Sequence, residues 1–225
     1  MINNRLIVLI IQINLSDHYL LCLTKICMAV TLTLIALTSV ISLLALYAAP
    51  KLLQIGMLRP YRTIRSQTWY EIISSGFLHA GFTHLLVNMF VLFFFGIVME
   101  QVLGVYHFIS LYITALIFSA LPSLIKQKDN PNYGTLGASG AVEAVLFSYI
   151  FIFPTEKIII VLLPIPIPAW FFGLAFLAYS IYESKAMRNN VNHEAHIAGA
   201  VWGILYLLLF VPNSVDHILT IFGLL

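Results

Sequence analysis

A few polar residues in an otherwise apolar chain have the types and spacing that acyl transfer requires. Ser139 lies in Gly137-Ala138-Ser139-Gly140, between the polar segment KQKDNPNYGT and the apolar run AVEAVLFSYIFIF. Small neighbours leave its hydroxyl uncovered and let a second helix come close. A serine hydroxyl is a weak nucleophile at neutral pH and needs a base within hydrogen-bond reach, a task that suits histidine. The reaction also needs donors aimed at the developing oxyanion. His196, with His193 three residues before it on one helix face, and the pair His84 and Asn88, four apart on another, supply these groups. The residues by themselves do not say which histidine is the base. Two plainer readings compete. Thr135 or Ser139 could cap a tightly packed helix, and His79 could be an interfacial histidine that holds a loop. A three-histidine metal site is a further competitor, but it lacks an acidic ligand in a recognised zinc spacing.

The elements that must position these groups are membrane helices. Of 225 residues, 61% are hydrophobic and 9% charged, which indicates a polytopic helical membrane protein. A net charge of +2 without a basic tract argues against a nucleic-acid partner. Cys22 and Cys27 have no spaced partners, so no structural disulfide or thiolate metal site is expected. The expected order is an N-terminal segment 1–25, interfacial or disordered, a membrane domain 26–212 and a short tail 213–225. Met28 is a candidate alternative start. Spans are expected at Ile26–Ala49, closed by Pro50; at Thr83–Met99; at Val105–Leu124; from Ser139 to the turn at Pro154; at Pro168–Tyr182; and at Ala195–Val211. Prolines at 164, 166 and 168 rule out a clean helix over 158–169. Between the first two spans, Lys51 to Gly81 mixes aromatics with Arg59, Arg62 and Arg65, and reads as an interfacial loop with short helices.

Six spans place the heads of the second, fourth and sixth on one side, which gathers His84, Asn88, Ser139, His193 and His196 at one depth. Polar residues within membrane helices face a cavity or one another. Gly199 and Gly203, four apart, and Gly137 and Gly140 give small faces along which two backbones can approach.

These elements together resemble the rhomboid intramembrane serine proteases: the stretch from His79 through Asn88 to Gly96-Ile97-Val98-Met99-Glu100, the Gly137–Gly140 box, Ala195-His196-Ile197-Ala198-Gly199, and six spans in that order. Within the family the nearest likeness is to a bacterial subgroup whose sixth span opens Asn-His-x-Ala-His, here Asn192 to His196. The resemblance implies an all-α, six-span bundle with an interfacial loop between the first two helices. It implies a serine endopeptidase with a Ser139–His196 dyad and no aspartate. It also implies an oxyanion hole made by His84, Asn88 and the Ser139 backbone. Transmembrane protein substrates met in the lipid bilayer would be the partners, with no cofactor and no metal. A mobile fifth span or loop would gate substrate entry. The resemblance further implies a bacterial inner membrane with the active face outside. The charges read the other way: Lys51, Arg59, Arg62, Arg65, Lys126, Lys128, Lys185 and Arg188 lie on the side of the cluster, against Arg5, Lys25 and Lys157 opposite. Outer-leaflet headgroups bound by the loop arginines would reconcile the two.

Two residues depart from the family pattern. Glu71 stands where many relatives have arginine. Glu143, one helical turn after Ser139, stands where relatives have an aromatic residue packed on the histidine, or a small residue. Glu143 could act as the third member of a triad, hold the imidazolium too tightly, or lie off the dyad. The rival functions are a catalytically inactive rhomboid-like protein that binds or escorts membrane helices, and a transporter. Polar groups clustered at one end, and the lack of clear inverted repeats, weigh against the transporter.

Overall fold

The computed structural model describes residues 29–160, 163–186, 191–221 and 223. The expectations for segment 1–25, Met28, Cys22 and Cys27 lie outside these residues. The chain is helical almost throughout. Helix α1 (Ala29–Leu43) continues as a π turn, Leu44–Ala48. Three short helices, α2 (Lys51–Gly56), α3 (Pro60–Arg65) and α4 (Glu71–Ser74), build the interfacial segment. The long apolar stretch that follows comprises α5 (Phe82–Val91), a π segment Leu92–Gly96, and α6 (Ile97–Lys126). Gly104, at φ 75° and ψ 161°, turns the chain inside α6, a conformation open to glycine, so this stretch is two spans. Then come α7 (Ser139–Ile152), strands β1 (Lys157–Ile160) and β2 (Leu163–Pro168), and helices α8 (Ala169–Ala186), α9 (His193–Phe210) and α10 (Ser214–Ile221).

Helix α7 is apolar on all sides and is enclosed on most of its surface, from Gly140 to Ile152, as such a helix must be. It packs against α6, α8 and α9. At 14 residues it is about 21 Å long, shorter than the roughly 30 Å hydrocarbon layer. Its neighbours turn apolar side chains outward, such as Val40, Phe94 and Leu209, and a bilayer would cover them. The high apolar content therefore serves two surfaces, the core around α7 and the lipid-facing belt.

Three details shape the ends of the bundle. Fully buried Glu100, at the end of the second span, accepts hydrogen bonds from Val30 N (3.0 Å), Thr31 N (2.7 Å) and Thr31 Oγ1 (2.6 Å). It thereby satisfies backbone donors in the first described turn of α1. At the opposite end Glu71, also fully buried, gathers Arg59 N (2.9 Å), Arg62 Nε (2.8 Å), Thr63 Oγ1 (2.8 Å) and the Thr68 hydroxyl. Arg62 further donates to the Gln54 and Ile55 carbonyls, and Arg65 to Lys128 O and Asp129. Of the arginines expected to bind headgroups, Arg62 and Arg65 thus also hold acceptors within the protein. Residues 157–168 form an antiparallel hairpin with pairs Lys157/Pro168, Ile158/Ile167 and Ile159/Pro166. The hydrogen bond from Ala169 N to Glu156 O fixes the alternation, so Ile167 faces its partner strand while the ring nitrogens of Pro166 and Pro168 turn outward.

Candidate active site

The start of α7 carries Ser139, and its cap position is taken by Ala138, whose side chain offers no hydrogen bond. Capping by Thr135 or Ser139 is therefore not what the structure contains. Thr135 instead pairs with Leu58 across two backbone hydrogen bonds of 3.0 and 2.9 Å, which staples the interfacial segment to the loop before α7. The N–H groups of Ser139 and Gly140 have no acceptor among the described residues. Two donors at the positive end of a helix are thus open to an incoming oxyanion.

Gly137, two residues earlier, has φ +128°, and its N–H donates to Ser75 O at 2.9 Å. A Cβ there would lie 2.7 Å from His84 Cε1, so the His84 ring rests on the glycine itself. One turn further along α5, buried Asn88 donates its amide to the His84 carbonyl at 3.0 Å. His79 is fully buried, with its ring 4.9 Å from that of His84. Its Nδ1 lies 2.9 Å from Ser42 Oγ, which donates to Phe77 O at 2.9 Å. The Ser42 proton is thereby used, so Nδ1–H donates to Ser42 and Nε2 accepts from Ala138 N at 3.4 Å. His79 is a neutral strut between α1 and the serine loop. Burial, and next the charge of His84, hold its pKa down at about 3.

His196 comes from α9, whose cap is Asn192. The Asn192 side chain accepts from Ala195 N at 3.1 Å and donates to Ser123 Oγ at 2.9 Å and Thr135 Oγ1 at 3.3 Å. Lys126 at the end of α6 pairs with Glu194 at 2.5 Å. The two central helices then meet backbone to backbone. A Cβ on Gly199 would lie 2.0 Å from Gly140 O, one on Gly203 2.2 Å from Ala144 O, and one on Gly140 2.3 Å from Ser119 Oγ and 3.4 Å from Ala195 O. With Ala195 beside Gly140, His196 and Ser139 stand at the same height on neighbouring helices. The His196 ring stacks on Phe176 of α8 (6.3 Å, 27°) and meets His193 edge-on at 5.7 Å. The aromatic surface against this histidine comes from α8, where α7 carries Glu143. No hydrogen bond joins Ser139 to His196, or Glu143 to His196, among the described residues. None of the described His, Cys, Asp and Glu side chains forms a group of three suited to a metal ion.

The site residues come from four elements: the segment around His79, and helices α5, α7 and α9. Sequence reading had no signal for Phe176, which sits in a plain apolar run, or for the His79 partners, which lie 37 and 59 residues away. Asn192 was noted in the sixth-span pattern, and the polar neighbours it fastens to are what the structure adds.

A Rhomboid domain model matches residues 66–213. The chain is 35% identical over 142 residues to Rhomboid protein 1, mitochondrial, of Saccharomyces cerevisiae, covering 60% of this chain and 40% of that protein. It is 30% identical over 140 residues to presenilin-associated rhomboid-like protein, mitochondrial, of Rattus norvegicus, covering 60% and 37%. It is 26% identical over 151 residues to RHOMBOID-like protein 12, mitochondrial, of Arabidopsis thaliana, covering 60% and 45%. The matches thus span less than half the length of these relatives. With the helical bundle and its outward apolar belt, they make this chain a multi-pass integral membrane protein that belongs to the rhomboid family.

Proposed function

We propose that the chain is an intramembrane serine endopeptidase acting in or near transmembrane segments of other proteins. The observation that carries this reading is the backbone contact of α7 and α9 through Gly140, Gly199 and Gly203. It puts a serine at a helix start level with a histidine, beside two open amides. Ser139 Oγ would attack the scissile carbonyl carbon while His196 takes its proton. The oxyanion would receive hydrogen bonds from the Ser139 and Gly140 amides and from the His84 and Asn88 side chains, Asn88 turning its amide from the His84 carbonyl. His196 would then protonate the leaving amine, and water would hydrolyse the acyl-enzyme with His196 again as base. The open spacing of the dyad is compatible with this course, since catalytic hydrogen bonds often tighten only once substrate is bound.

A second reading, an inactive protein that binds or escorts membrane helices, draws on that same missing Ser139–His196 hydrogen bond. A fluorophosphonate probe decides between them. The detergent-solubilised protein should be labelled at Ser139, and Ser139→Ala should lose both labelling and cleavage of a single-span reporter substrate. Cleavage undiminished in the alanine variant would sink the serine mechanism. For the membrane, the resemblance to a bacterial subgroup implies a bacterial inner membrane with the active face outside, against the charge bias. The relatives above bear mitochondrial names, which makes a mitochondrial membrane the competing location.

A further inference from the structure

One carboxyl group beside Ser139 has a buried oxygen with no partner. Glu143 follows Ser139 by one helical turn, and Phe147 and Ile150 continue the same face of α7. That face looks onto α8. The Phe147 and Phe176 rings are 6.0 Å apart, and a Cβ on Gly173 would lie 3.3 Å from Ile150. On α8, Gly173, Phe176 and Ser180 succeed one another along one face, and Phe176 lies against His196. Towards the opposite membrane face, Phe147, Ile150, Ala169 and Ala200 close an apolar cluster. Towards the Ser139 end, the facing helices carry Glu143, whose Oε2 is buried without a hydrogen-bond partner, and Ser180, fully buried with its Oγ equally unpartnered. Unpaired polar atoms away from water are costly, and a donor brought by a ligand removes that cost.

We propose that Glu143 and Ser180 line a side-chain subsite beside Ser139, which takes a long substrate residue bearing a hydrogen-bond donor, such as glutamine or lysine, next to the scissile bond. This rests on the protease reading. One turn of helix separates Ser139 from Glu143 by about 6 Å, the reach of such a side chain. The bare carboxyl oxygen of Glu143 can accept from an amide or ammonium, and a hydroxyl can donate or accept. Helix α8 is not closely seated along its whole length. Beyond Phe147, on the side away from Glu143 and Ser180, a groove of about 300 Å³ separates it from α7, lined by Phe147, Ile150, Gly173 and Leu177 among others. A site built around buried polar groups rejects an analogue that leaves them unpaired.

The test is cleavage of a single-span reporter by the purified full chain, with glutamine, lysine, methionine or leucine before the scissile bond. Methionine matches the length of glutamine but lacks the donor. The wild type should favour glutamine or lysine over methionine by about tenfold or more in kcat/KM. Glu143→Met should abolish or invert that ratio, and Ser180→Ala should narrow it. Because the ratio is read within each variant, a lower overall rate does not blur it. Equal rates for glutamine and methionine in the wild type overturn the proposal, as does a preference that survives both substitutions. Loss of all cleavage in Glu143→Met while Ser139 is still labelled assigns Glu143 to the dyad and overturns it as well. A wild type that is neither labelled nor active refutes the protease reading itself, and this inference with it.

Discussion

His79 shows how one histidine of a cluster is withdrawn from acid–base chemistry. Its two ring nitrogens are committed, one to Ser42 and one to Ala138, and its pKa is held near 3 first by burial and then by the charge of His84. Between that value and the unfolded value of 6.5 the unfolded chain binds a proton that the folded chain refuses. Stability from this group is therefore complete above about pH 6.5 and declines as pH falls towards 3. The midpoint of thermal unfolding in detergent should drop across that window. His79→Gln should lower the midpoint at pH 8 and flatten the slope, and an unchanged slope would show that the drop arises elsewhere. Glu71 presents the reverse case. Burial raises its pKa, but hydrogen bonds from Thr68, Arg59 N, Thr63 and Arg62 outweigh that, so its net shift is downward. At this scale the candidate residue types were readable, because a serine among glycines and two histidines stand out in an apolar chain. The partners of His79 and Glu71 were not, because they depend on which loop folds onto which.

Among the helices, the closest approach is that of α7 and α9, and it depends on the absence of two side chains. Gly199→Val would force its Cβ against the Gly140 carbonyl now 2.0 Å from that position, and would push the helices apart. Overpacking of a tight contact typically costs about 1–3 kcal/mol. The larger effect should fall on catalysis, because separation moves His196 away from Ser139. The expected result is a folded protein with cleavage reduced by roughly a hundredfold or more, in line with the sensitivity of rate to ångström displacements. Cleavage at wild-type rate would mean that this contact does not set the dyad. The spans themselves were legible from apolar runs and their stops, and Gly104 fell between the second and third as expected. The hairpin was not, since prolines exclude helix without naming what replaces it. Asn192 and its side-chain cap needed the neighbouring ends of α6 and α7.

For the bundle as a whole, Glu100 and the interfacial segment act at opposite ends. Glu100→Ala would leave two backbone donors of α1 and the Thr31 hydroxyl without their acceptor, a loss of about 2–4 kcal/mol. Unfolding in detergent measures it, with Glu100→Gln expected to recover part. At the other end, Arg62, Arg65 and Lys126 each engage an acidic side chain. Four of the seven described basic residues on that side remain without such a partner, so the charge bias and the family orientation still disagree. A cysteine at exposed Asn132, in a variant with Cys22 and Cys27 replaced by serine, addresses this. The outward reading predicts reaction with an impermeant thiol reagent in intact bacterial cells expressing the chain. Reaction only after the membrane is opened would reverse the orientation.

The outward-turned prolines of β2 have a consequence for a protein crowded into two dimensions. A neighbouring copy that tried to extend the hairpin through Pro166 and Pro168 would find carbonyl oxygens but no N–H in return. Half of each expected rung would be absent, and in lipid no water would replace it. The hairpin is thus a sheet that ends at its second strand. The β2 edge of the segment therefore offers no template for lateral aggregation in the membrane.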